Sequence, residues 1–248
     1  MLTLEEAHYR LLHHRRYLED FLHGKWERLD LSDVDLITLG AQDSRELVAR
    51  ATQIRRDVLH RAQGGFPSLC NAYPQTLARW VQLMPDDPDW VDLISMFLES
   101  RSFEKTLAGD PDVKPLTKVE AFFEFATRMA CFPADVLEHE WIVVALQGLA
   151  RTPHEHVAIH DIRLRPTLLG WQAVVDRPEG PFLYAIRDNQ LITGTITPLL
   201  SALLHAEDDD APRRLARKFG LSVHAVDSIV DRLIDLGLRA TPQAAAAK

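Results

Sequence analysis

At 248 residues, 46% of them hydrophobic, the chain can bury one large core or two modest ones, and its composition argues against disorder outside the C-terminal tail. The formal net charge of −8 excludes the basic excess of a protein that draws its affinity from phosphates. That charge is uneven: residues 1–150 hold 16 Lys and Arg against 24 Asp and Glu, while the remainder holds 12 of each.

The acidic start, Met1 to Glu6, lacks the basic-then-apolar order of a signal peptide. The longest run free of Asp, Glu, Lys and Arg, Asn189 to Ala206, is broken by Thr, Gly, Ser and Pro and is no membrane span. A cytoplasmic protein with no membrane partner is expected. Cys70 and Cys131 are far apart and in helical context, so they read as reduced, buried thiols.

Residues 1–150 predict a helical domain of six or seven helices. Thr3 with Glu6, Asp43 with Glu46 and Thr117 with Glu120 carry a reciprocal capping pattern, in which a polar cap and an acid three residues on satisfy each other's N–H groups. One helix is expected from Leu4 to Leu22, stopping near Gly24, and a second from Ser44 to Gln63, ending at Gly64-Gly65. Further helices are expected over Trp90–Phe103 and Thr117–Ala130, and from Pro133 through Trp141 to about Leu149.

A polar, His-rich linker is expected over 151–161 and a second domain over 162–238, leaving 239–248 as a mobile tail. Strand period dominates first. Asp161–Arg165 alternates, Trp171–Val175 pairs with it or continues it, and Phe182–Ile186 and Leu191–Ile196 form a hairpin about Arg187-Asp188-Asn189-Gln190. Thr197-Pro198 then opens a helix, Pro212–Phe219 a second that stops at Gly220, and Ser222 caps a third that ends near Gly237. The fold class is therefore mainly α: an N-terminal helical bundle plus a C-terminal winged helix-turn-helix with a small antiparallel sheet.

The most metal-like cluster is His154-Glu155-His156 with His160-Asp161, but it matches no standard zinc spacing and reads as a solvated linker. Glu138-His139-Glu140 resembles the start of a metalloprotease helix, yet the position that needs the second histidine is Val143. Phosphate-loop, dinucleotide and nucleophile-elbow patterns are absent from the sequence. No catalytic residue, metal ligand or cofactor is therefore expected in this chain, which reads as a non-enzyme.

Two uses of the winged helix remain. Arg213, Arg214, Arg217 and Lys218 would sit on the helix that crosses the DNA backbone in a helix-turn-helix, which leaves a DNA-binding regulator as the alternative. Asp227, Asp231 and Asp235 on the next helix would repel phosphates, so nucleic acid is disfavoured. The other use is strand addition. Gln190, Leu191, Ile192, Thr193, Gly194 and Thr195 should lie at the sheet edge, where unpaired N–H and C=O groups accept an extended peptide, with Val226, Ile229, Val230 and Leu233 as the apolar wall of the groove, although most of their surface should be spent on the core. The acidic stripe would favour Lys or Arg in that peptide.

From Ile162 to Leu238 the chain resembles the PqqD-like recognition elements of ribosomally made, modified peptides. The resemblance rests on Ile162-Arg163-Leu164-Arg165-Pro166, Phe182-Leu183-Tyr184, Leu191 to Leu204, and Ala216-Arg217-Lys218-Phe219-Gly220-Leu221-Ser222 leading to Leu233 and Gly237-Leu238. It implies a winged helix that captures leader peptides by strand addition. Phe132-Pro133, Leu137-Glu138-His139-Glu140-Trp141 and the upstream Tyr73-Pro74 resemble helical partner proteins of multinuclear non-heme iron oxidases in methanobactin and thiaglutamate biosynthesis. That second resemblance implies a heterodimer in which this chain holds a precursor peptide while the partner, which carries the iron, oxidises a cysteine of the peptide.

Overall fold

The computed structural model describes residues 2–107, 116–151, 164–167, 170–206, 208 and 210–239. The chain is mainly helical with one small four-stranded antiparallel sheet, and it divides into two compact units, Met1–Trp141 and Ile142–Lys248. The expected linker, 151–161, lies outside the described residues apart from Arg151, as does the expected tail apart from Arg239.

The first unit contains α1 (Leu4–His13), α2 (Arg15–Leu22), a 3-10 turn at Trp26–Arg28, α3 (Asp33–Gly40), α4 (Ser44–His60), α5 (Leu69–Ala72), α6 (Pro74–Leu83), α7 (Val91–Leu98), α8 (Arg101–Glu104), α9 (Lys118–Thr127) and the start of α10 (Ala134–Arg151). The reciprocal capping pattern forms at Thr3 and at Thr117. At the third expected position Asp43 accepts from the Arg45 N–H, and Glu46 instead pairs with Arg50.

Two long helices expected from periodicity are each split. His14 is extended between α1 and α2, and the exposed N–H of Arg15 is satisfied by Glu99 Oε1 at 2.9 Å, from a residue 84 positions away. Periodicity cannot see such a partner. Ser100 separates α7 from α8 by capping the latter, its hydroxyl accepting from the Phe103 N–H.

Ala7, Leu11, Leu18, Phe21, Leu29, Leu39, Leu47 and Ala51 form one core of this unit. Tyr73, Phe97, Phe122 and Phe125 make a second, aromatic cluster, with Tyr73 wholly buried and its phenol donating to the Val119 carbonyl at 2.7 Å. Each large side chain so buried contributes about 1.5–3 kcal/mol. Burial pushes the Tyr73 phenol well above its ordinary value, and Glu140 and Glu120 add to that.

Buried carboxylates hold the helix ends of this unit. Asp87 Oδ2 accepts from the Trp80 indole and from the Asp92 and Leu93 N–H groups that open α7. Glu140 accepts from the Gln75 N–H at 2.6 Å and from the Thr76 N–H and hydroxyl, closing the start of α6. Such donors are the orphan N–H groups of a helix N-terminus, and a carboxylate there also meets the favourable end of the helix dipole. Burial nevertheless raises the Glu140 carboxyl, outweighing the lowering effect of those hydrogen bonds.

The second unit holds β1 (Arg165–Pro166), β2 (Gly170–Arg177), β3 (Gly180–Arg187), β4 (Gln190–Thr195), then α11 (Pro198–His205), α12 (Ala211–Phe219) and α13 (Val223–Asp235). The sheet order is β1-β2-β3-β4, every pair antiparallel. Of the strand expected over Asp161–Arg165, residues 161–163 lie outside the described residues. Gly170 is required where β2 meets β3, since a Cβ there would stand 2.0 Å from the Ile186 carbonyl oxygen.

Alternation along β3 gives the sheet two buried faces. Leu183 and Ala185 join Leu199, Leu203, Leu204, Ala216, Val226 and Leu233 on the face covered by α11–α13. Tyr184 and Ile186 join Ala173 with Ile142 and Leu146 of α10 on the opposite face. This explains where the compact division falls: the sequence boundary at 150 follows the helix end, whereas Ile142 and Leu146 belong with the sheet.

Candidate functional site

The site is built on the β3–β4 hairpin. Asp188 and Asn189 both take positive φ, 48° and 61°, the conformation a two-residue turn needs if its twist is to match the strands. Arg187 and Gln190 therefore face each other as the first hydrogen-bonded pair, and pairing alternates from there. Gln190, Ile192 and Gly194 direct their backbone groups toward β3, a phase continued by the Ile196 N–H donating to the Pro181 carbonyl at 2.8 Å.

Leu191, Thr193 and Thr195 consequently turn their N–H and C=O groups outward. No described strand lies beyond β4, so these three residues present a row of open ladder groups at the sheet edge. Side chains alternate in the opposite sense. Ile192 and Gly194 pair with Ala185 and Leu183 on the face shared with α13, while Leu191, Thr193 and Thr195 pair with residues on the α10 face. Ile192 is 48% exposed, and a Cβ on Gly194 would meet nothing within 4 Å, so this side of the edge is open.

All six expected strand residues, Gln190 to Thr195, thus stand together on β4. The expected helix wall is mostly spent on the core. Val226 and Leu233 are 0% and 3% exposed and are held in the core against Leu183 and Ala185, so they offer no surface beside β4. Ile229 and Val230 are partly buried against the same core and keep some surface. The physical reason is the helical repeat: positions 226, 229, 230 and 233 form one stripe, and the centre of that stripe must face the sheet.

The acidic and basic clusters of the unit lie on different helices. Asp227, Asp231 and Asp235 are exposed on α13, and so are Arg213, Arg214, Arg217 and Lys218 on α12. Arg214 is already engaged, its guanidinium donating two 2.8 Å bonds to the Asp208 carboxylate, which that pairing holds below its ordinary range. Sequence reasoning missed this clamp and a second one. Arg187 Nη1 donates to the Leu236 carbonyl at 3.3 Å, tying the hairpin to the end of α13, and only a basic residue beside the turn hinted at it.

His154, Glu155, His156, His160 and Asp161 lie outside the described residues, and among those described no group of three or more His, Cys, Asp and Glu could hold a metal. In the Glu138-His139-Glu140 run, Glu140 closes α6 and Trp141 is buried, stacked on Phe123 at 5.1 Å. No described helix is long and apolar enough to cross a membrane.

Fold and site together define a helical unit joined to a small sheet with an open edge and three helices on one face. Comparison with protein-family models, curated proteins and solved structures finds no match for this chain.

Proposed function

We propose that the chain is a non-catalytic adapter that binds an extended peptide as a fifth strand on β4. The observation that carries this reading is the row of outward ladder groups at Leu191, Thr193 and Thr195 beside an exposed Ile192 and an open Gly194. Each added backbone hydrogen bond contributes about 0.5–1.5 kcal/mol, so a peptide spanning the three residues gains appreciable affinity before any side chain is read. The exposed Asp227, Asp231 and Asp235 favour Lys or Arg in the peptide.

The finer reading follows the family resemblance: the peptide is the leader of a ribosomally made precursor, and the chain presents it, within a heterodimer, to a multinuclear non-heme iron oxidase that modifies a cysteine. Of the residues behind the second resemblance, Tyr73, Glu140 and Trp141 are buried, Glu140 holding α6 to α10 and the other two packing on α9, so they set the frame of the helical unit and leave contact with an oxidase to its exposed surface.

Proline at alternate positions of β4 tests the site. A fluorescent library of extended peptides with Lys or Arg at alternate positions, titrated into the full chain, should yield binders whose affinity falls about tenfold or more in Thr193→Pro, which removes an outward N–H but no bond to β3. Unchanged affinity in a folded Thr193→Pro variant would remove the reading. The competing reading, a DNA-binding regulator, draws on Arg213, Arg217 and Lys218 and predicts duplex affinity that drops steeply with salt and is lost when those three are neutralised.

A further inference from the structure

The helical unit contains a cleft that the peptide reading does not use. It has a volume of about 450 Å³ and lies between α4 and the start of α7, with Arg55, Arg56, His60, Asp89, Trp90 and Ile94 among its walls. Arg55 is half-buried, its Nε donating to Ser95 Oγ at 3.1 Å, which fixes the guanidinium and leaves its two Nη groups as a fork. Asp57, the carboxylate next in sequence, pairs with Arg61 instead. Among the described residues neither Arg55 nor Arg56 has an ion-pair partner, and Asp89 is the one carboxylate in the wall. Burial, with Arg15 nearby, holds Arg55 below its ordinary value, and the more distant carboxylates of Glu99 and Glu19 offset this only in part.

The opposite wall is apolar and held in place. Trp90 caps α7 in the left-handed conformation, φ 56° and ψ 25°, a strained position for a bulky residue, and its indole is pinned by donating to the Leu77 carbonyl at 3.0 Å. Asp87 already closes the first turn of α7, so attraction for an anion comes from α4 and not from the helix start. His60 has Nδ1 3.5 Å from Cys70 Sγ, which leaves Nε2 as its free ring nitrogen.

We propose that this cleft binds a small organic oxyanion, a carboxylate or a phosphate ester, whose charged end sits on the Arg55 fork with Arg56 beside it and whose flat apolar group lies against Trp90 and Ile94. A bare anion satisfies only the first half of the site. The proposal is independent of the β4 edge, and the two fail separately.

Isothermal titration of the full chain tests it with three probes: phenyl phosphate, phenylacetate and inorganic phosphate. Saturable binding is expected for at least one aromatic anion, with inorganic phosphate about tenfold weaker or worse; the tighter aromatic probe identifies which oxyanion the cleft takes. Arg55→Met, which keeps an unbranched apolar stem and removes the guanidinium, should weaken that binding about tenfold or more, the loss of a charge-assisted pair. Arg56→Gln, an exposed change, should weaken it less and serves if Arg55→Met does not fold. Absence of saturable binding by all three probes up to about 10 mM, or affinity unchanged in a folded variant, overturns the proposal.

Discussion

The two units handle polar groups in opposite ways. In the helical unit, carboxylates are carried inward to finish other helices: Glu140 closes α6 and Asp87 closes α7. In the sheet unit, hydrogen-bonding groups are left outward along β4, where no described strand pairs with them. The first arrangement yields a fixed frame and the second an open edge. Buried polar groups without partners are costly while exposed ones are not, so rigidity and availability cannot be built from the same groups.

Neighbouring positions of α10 give the strongest test of this division. Trp141→Ala should cost about 4 kcal/mol and Ile142→Ala about 3 kcal/mol, because each empties a fully buried site. Amide exchange should separate them: Trp141→Ala loosens α9, Ile142→Ala loosens β2 and β3. Identical exchange patterns would break the two-unit comparison. Next in size is Glu140→Ala, which strands two N–H groups and the Thr76 hydroxyl, at about 2–3 kcal/mol in denaturant unfolding. Glu140→Gln keeps an acceptor and should cost less.

On β4 the contrast is between adjacent residues. Ile192→Pro removes a bond to β3 and should destabilise the second unit by about 1–2 kcal/mol, whereas Thr193→Pro should change its melting little. Equal losses would mean that the phase of the hairpin is other than described.

The smallest effect is a pH dependence of the helical unit. Burial works to raise the Glu124 carboxyl, but Lys105 at 2.7 Å and Arg128 together outweigh it and hold it below the ordinary carboxylate range. A depressed carboxyl favours folding above its unfolded value and loses that contribution as pH falls through its folded value. Stability followed by acid titration should therefore decline across that window, and Glu124→Gln should flatten the decline. Both cations are half exposed, so screening keeps the effect small.

Much of the fold was legible because its signals are local. The reciprocal caps at Thr3 and Thr117, the Asp188-Asn189 turn, Thr197-Pro198, and Ser222 as the cap of α13 all act within a few residues, and each forms as expected. Gly220 likewise ends α12 at φ 68°, a conformation glycine adopts without strain. What local reading missed has distant partners. Glu99 holds the break at Arg15, Glu140 closes a helix 64 positions earlier through the Thr76 hydroxyl, and Trp90 is fixed in a left-handed cap through Leu77.

The candidate site divides the same way. Strand period and turn chemistry put Gln190 to Thr195 on one strand without help from tertiary structure. That β4 is the edge, that its outward residues are Leu191, Thr193 and Thr195, and that Val226 and Leu233 are buried in the core depended on which strand pairs with which and on what covers each face. By itself the sequence determined the elements, their caps and the acidic stripe of α13, since those follow from periods of two and 3.6 and from side chains near the helix ends. Only the tertiary structure decided which polar groups are closed and which are open, because that choice belongs to partners the chain brings together from far apart.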